Sequence, residues 1–252
     1  MSQRGNILFL ILLAVVLFAA LSYAVTSGMR GGGNDASPEK AQALASQIVN
    51  HATLVENTIQ RLKVSGCRDT EISFQNGTFG GYTNSNSPAD MHCRVFNPAG
   101  GGLSPQVWGE AELDESNIGA DRYGEMIFTG HNCLWNVGSA GGSSAVVKCY
   151  SNGDNAAIVA FLPYLDMATC KAINKTAFGF AEIPVEYNTV NYTPFAGGYP
   201  TGAKHILDFM GTTNIRDSSV LVPQMGCIQM PSNSGTTVWQ NKYIFFQVLL
   251  AR

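Results

Sequence analysis

The stretch "PEKAQALASQIVNHATLVENTIQRLKV" (38–64) places apolar residues at Ala41, Leu44, Ile48, Ala52, Val55, Ile59 and Leu62. Every step is three or four residues, so one face of a helix is apolar. Lys40, Gln47, Glu56 and Arg61 fall on the other face. Ser37-Pro38 reads as an N-cap followed by proline at the first helical position, with Glu39 in the first turn. Gly66 supplies the stop, giving an amphipathic helix over 38–66, about 40 Å long. A helix of this length with one apolar face needs a sheet or a second helix to cover it.

Upstream, Gly31, Gly32 and Gly33 lie within "TSGMRGGGNDASPEK". Each glycine costs a helix about 1 kcal/mol relative to alanine, so 27–37 reads as a Gly-rich joint. Before it stands "RGNILFLILLAVVLFAALSYAV" (4–25), with no charge from Ile7 to Val25. At about 1.5 Å per residue this run approaches the roughly 30 Å hydrocarbon thickness of a bilayer. The length predicts a transmembrane helix over 6–26, with Ile7, Leu10 and Val25 in the anchor and membrane lipid as its partner. Arg4 before it and no further charge until Arg30 favour an N-in orientation. A cleaved secretory peptide, cut after Ser22-Tyr23-Ala24, is the competing reading.

Downstream, the texture becomes that of strands and turns. "GEMIFTG" (124–130), "SAVVKCY" (144–150), "AAIVAFL" (156–162), "SSVLVPQMGCIQM" (218–230) and "TTVWQNKYIFFQVLL" (236–250) read as strands. Ile72 and Phe74 before Asn76-Gly77 predict a hairpin. "PYLDMATCKAINKTAFG" (163–179) reads as a short helix opened by Pro163. The expected fold class is therefore α+β: a transmembrane helix, a long amphipathic helix, and a mostly β, disulfide-bonded head over 67–252.

Six cysteines, Cys67, Cys93, Cys133, Cys149, Cys170 and Cys227, all follow the apolar run, and no C-x-x-C pair occurs among them. An even count behind a membrane segment favours disulfides over zinc or buried free thiols. Fifteen pairings are possible. Sequence order suggests Cys67–Cys93, Cys133–Cys149 and Cys170–Cys227. Charged residues make up only 13% of the 252 residues and the net charge is −3. Nucleic-acid binding is thus excluded for want of a basic stripe.

No catalytic, cofactor or metal constellation is legible. His51, His92, His131 and His205 are scattered. The serines of "GSAGGSS" (138–144), Ser143 included, do not form G-x-S-x-G. The acidic run "GEAELDESNIGAD" (109–121) lacks EF-hand spacing and reads as a solvated loop. "NTVNYTPFAGGYPTG" (188–202) reads either as an exposed recognition loop or as a loop burying its own rings.

The leader "MSQRG" is short, polar and basic, and Gly5 directly precedes the apolar run. In this it resembles the leaders of bacterial type IV pilins and pseudopilins. The resemblance covers about 25 residues and, more loosely, the layout of the chain. It implies a leader over 1–5, cleavage between Gly5 and Asn6, and self-association with other pilin-like subunits. Pilins usually carry Glu at the fifth mature position, where this chain has Leu10. The expected function is a non-enzymatic, pilin-like structural subunit, anchored in the inner membrane with a periplasmic or extracellular head and assembled into a surface or secretion filament. The alternative is an anchored binding module that recognises a glycan or protein and never polymerises.

Overall fold

The computed structural model describes residues 11–19, 38–110, 112–134, 156–185, 192–199, 205–207, 224–230 and 239–251. The chain divides into two compact units, Met1–Ser37 and Pro38–Arg252. In the first unit, residues 11–19 are helical (α1) and exposed throughout. The expected transmembrane helix is corrected here. Among the described residues no helix is long and apolar enough to cross a membrane. The described turns of α1 rise about 14 Å, half of a bilayer core. Ile7, Leu10 and Val25, like Gly5 and Asn6, lie outside the described residues.

The second unit is an α+β domain. Helix α2 spans Pro38–Val64 and buries Leu44, Ile48, Ala52, Val55, Ile59 and Leu62, the face set by the three-and-four spacing. Its end is a Schellman turn. Cys67 N–H bonds Leu62 O at 3.1 Å and Gly66 N–H bonds Lys63 O at 3.0 Å, with Gly66 at φ +106°. Lys63 then pairs with Asp69 just past the turn.

Five strands follow: β1 (Ile127–Leu134), β2 (Ala156–Leu165), β3 (His205–Leu207), β4 (Met225–Gln229) and β5 (Tyr243–Leu250). The sheet order is β3-β1-β2-β5-β4. β1, β2, β5 and β4 pair antiparallel, and β3 joins β1 in parallel. Strand side chains alternate between two buried faces. Ile158, Ala160 and Leu162 of β2 meet the core under α2. Ala157, Val159 and Phe161 join Trp239, Met230 and Phe246 on the opposite face. Burial on both sides explains why "AAIVAFL" is a continuous apolar run rather than an alternating one.

The short helix begins later than its sequence suggests. α3 spans Met167–Phe178, and Pro163 to Leu165 complete β2 instead. β1 pairs β2 only as far as Ile127 opposite Phe161, so Pro163 lies beyond the stretch paired with β1 while still opposite Ile244 of β5, a strand end at which proline is tolerated. A register shift between Pro163 and Leu165 accompanies Tyr164 at φ +68°. The true cap is Asp166, whose Oδ1 accepts Thr169 N–H at 2.7 Å and whose Oδ2 accepts the Thr169 hydroxyl at 2.8 Å. Gly179, at φ +80°, closes the helix.

The head is less β than expected. Between α2 and β1 the described chain forms two single-turn 3-10 helices, Asp69–Glu71 and Glu115–Asn117, and isolated bridges. The hairpin at Asn76-Gly77 does not form. The Asn76 side chain instead accepts the N–H groups of Thr78 and Phe79, both at 2.8 Å, and that turn competes with strand pairing. Ser73 exchanges bonds with Cys93 and Val95. The strand expected over 144–150 lies outside the described residues. What organises this layer is aromatic packing. Phe74 stacks on Phe128 at 4.4 Å between ring centroids, ringed by Tyr82, Phe96 and Phe195.

At the far edge of the sheet, the Asn174 side chain of α3 meets Cys227 of β4. Its Nδ2 donates to Cys227 O at 2.8 Å, and its Oδ1 accepts Cys227 N–H at 2.7 Å. Two residues on, Gln229 N–H donates to Pro184 O at 2.8 Å.

Candidate functional site

Two of the cysteine pairs suggested by sequence order are disulfides. Cys67–Cys93 spans 5.8 Å between Cα atoms and ties the end of α2 to the turn before Arg94. Cys170–Cys227 spans 5.3 Å and ties α3 to β4. Cys133 lies on β1 with its side chain outside the described residues, as is all of Cys149, and the expected Cys133–Cys149 pairing lies outside them too. Opening the 57-residue loop at Cys170–Cys227 by replacing both cysteines with serine is expected to lower stability by about 2–4 kcal/mol. An unchanged urea midpoint would remove the bridge from the account of the fold.

The first disulfide has a neighbour that the sequence reading passed over. A ring nitrogen of His92 and the two sulfurs lie within 4.8 Å of one another. Asp90 Oδ1 sits 2.5 Å from His92 Nδ1, and hydrogen bonds from His92 hold the exposed Asp90 carboxyl below its ordinary range. The signal was present as "DMHC" (90–93): a carboxylate, a histidine and a cysteine within four residues, facing Cys67 at a helix end.

A second polar cluster is buried deeper. Tyr82 O–H donates to Glu125 Oε1 at 2.7 Å, Arg122 Nη1 donates to Glu125 Oε2 at 2.9 Å, and Phe128 N–H donates to Tyr82 Oη at 3.2 Å. Burial pushes the Tyr82 phenol well above its ordinary value, with the Glu125 charge and hydrogen bond adding to it. A phenol so raised stays protonated and serves as a fixed donor. The trio fastens the loop layer to β1, and Tyr82 shares the lining of a small pocket with His51, Phe79, Phe96 and Phe128.

An open cleft of about 600 Å³ lies where α3 begins, lined by Met167, Lys171, Phe180, Ile183 and Tyr243, with Glu182 and Gln229 among its polar groups. Lys171 and Glu182 beside these apolar side chains make its lining amphipathic.

The remaining candidates disperse. His51 packs edge-on to Trp108 at 5.9 Å, and burial lowers its pKa. His131 is half-buried on β1, and Ser143 lies outside the described residues. In the acidic loop, Glu112 accepts Gly109 N–H at 2.8 Å. Asp114 is partly desolvated, which opposes ionisation, but hydrogen bonds from Ser116 and Asn117 outweigh this and lower its pKa. Those carboxylates are spent on their own loop. In the aromatic loop, Phe195 is fully buried and its N–H bonds Phe128 O at 2.8 Å. Tyr192 packs on Trp239 at 4.7 Å, so these rings serve the core.

Comparison with protein-family models, curated proteins and solved structures returned no match for this chain.

Proposed function

We propose that the chain is a non-enzymatic, pilin-like structural subunit, with the Pro38–Arg252 domain displayed outside the cytoplasm and the apolar N-terminal segment packing against other copies. The observation that carries this reading is α1. Leu12, Val15, Val16, Leu17 and Phe18 are each more than 60% exposed, and Ile11 and Leu13 are about half exposed or more. Each such side chain gains about 1.5–3 kcal/mol when fully buried, so an uncovered helix of this kind draws in a partner. The two disulfides support an oxidising compartment, and the leader "MSQRG" supports processing before Asn6.

The full chain in detergent-free buffer is expected to sediment as multimers. Replacing Leu12 and Val16 with glutamate is expected to return it to monomer with an unchanged near-ultraviolet spectrum. A monomeric full chain overturns the proposal. The intact mass adds a second reading: a chain beginning at Asn6 supports the pilin-like leader, whereas a chain beginning near Val25 loses the assembly element and overturns it.

The amphipathic cleft at Lys171 favours a second reading, in which the domain binds a partner without polymerising. Multimers that vanish on changing α1 decide against it.

A further inference from the structure

We propose that Cys67, Cys93 and His92 form a zinc site in the reduced chain, with Asp90 orienting the imidazole. Among the described residues these three are the one group of metal-ligating side chains close enough to share an ion, all three ligand atoms lying within 4.8 Å. A tetrahedral zinc with about 2.3 Å bonds to sulfur and about 2.0 Å to nitrogen sets its ligands roughly 3.5–4 Å apart. Opening the disulfide lets the sulfurs separate to that spacing with little backbone movement.

The corner is built to survive that opening. Cys67 is fixed by the Schellman turn, its N–H on Leu62 O. Cys93 is fixed by Ser73 N–H on its carbonyl at 3.1 Å, with Arg94 N–H on Met91 O at 3.0 Å closing the turn. Gly100 presses on that turn from outside: a Cβ there would lie 2.4 Å from Arg94 O and 2.7 Å from His92 O. None of these restraints passes through the S–S bond. Asp90 completes the arrangement found behind metal-bound histidines, a carboxylate hydrogen-bonded to the ring that sets its tautomer and rotation. The three ligands leave a fourth position for water.

The chemistry balances with a dithiol as reductant. Its two S–H groups become one S–S bond, and the Cys67–Cys93 bond opens to two thiols. Zinc then displaces both protons and gains two Zn–S bonds, while the His92 lone pair supplies the third ligand. A disulfide-class oxidant reverses the sequence, taking two electrons from the thiolates and expelling the ion. The corner of a chain not yet oxidised is thereby closed by metal, and that of the oxidised chain by sulfur.

Cobalt(II) titration of the full chain, reduced with a phosphine without oxygen, tests this directly. One equivalent is expected to produce a thiolate-to-cobalt charge-transfer band that zinc abolishes, and the oxidised chain is expected to show none. Changing Cys67 and Cys93 together to serine should remove the band, and changing Cys170 and Cys227 should leave it. His92→Ala is expected to weaken binding more than Asp90→Asn, which should cost about 10–100-fold. The far-ultraviolet dichroism of the reduced chain is followed alongside. A band that persists without Cys67 and Cys93, an affinity indifferent to His92, no band at all, or a chain that unfolds on reduction would each overturn the proposal.

Discussion

Phe74→Ala is expected to lower stability by about 3–5 kcal/mol, the range for truncating a fully buried phenylalanine. Phe74 has no exposed surface. Its ring lies parallel to that of Phe128 at 4.4 Å and meets Tyr82 and Phe195 edge-on at 6.4 and 6.2 Å. Those partners come from the loop layer, from β1 and from residues 192–199, so none can move into the space without leaving its own contacts. The loss therefore combines the transfer of one ring with a cavity that does not collapse. The ring stack adds to the polar attachments of the loop layer to the sheet, such as Asp114 N–H on Tyr164 O at 2.8 Å and Phe128 N–H on Tyr82 Oη at 3.2 Å. Urea unfolding should show a lower midpoint. A loss under about 1 kcal/mol would mean that the layer is held by something other than its aromatics.

Glu125→Ala is expected to cost about 3–5 kcal/mol as well, by a different route. The Glu125 side chain is only 5% exposed and pairs with Arg122, itself 23% exposed. Removing the carboxylate leaves a partly buried guanidinium with only the more exposed Asp121 carboxylate, 4.0 Å from its Nε, and the Tyr82 hydroxyl without its acceptor. The penalty is that of stranded partners, not the net worth of the ion pair. Tyr82→Phe supplies the contrast: it takes away one hydrogen bond while Arg122 and Glu125 remain paired, and its expected cost is about 1–2 kcal/mol. Equal losses for the two variants would mean that the charge pair contributes nothing of its own.

These two sites mark what a single sequence conceals. Helix α2 was legible because seven apolar residues at steps of three and four leave little choice of structure or of buried face. The helix–strand bridge at Cys170 and Cys227 was suggested by order along the chain alone. Phe74, Tyr82, Phe96, Phe128 and Phe195, by contrast, share no period, and nothing local announces that they meet. Pro163 misled for a specific reason. Proline opens helices, but it is equally tolerated where a strand has outrun its neighbour, and pairing to β1 decides between the two. The apolar run at 7–25 showed hydropathy and length, and neither fixes whether a helix is covered by lipid or by protein. At "DMHC" the residues were in view, but Cys67, which completes the group, is 23 positions before Asp90.

The Asn174 amide has a consequence for how copies of this chain can meet. By donating to Cys227 O and accepting Cys227 N–H, it stands where the backbone of another strand would stand. With Pro184 on Gln229, the outward-facing groups at two successive positions of β4 are already engaged. An unprotected border strand is a template on which a neighbouring polypeptide can zip itself. Here the template is occupied by the chain's own side chain and loop, with the cysteine bridge pinning the occupant in place. Growth by stitching one subunit's sheet onto the next through β4 is closed off. Contacts between copies are left to surfaces other than the β4 border.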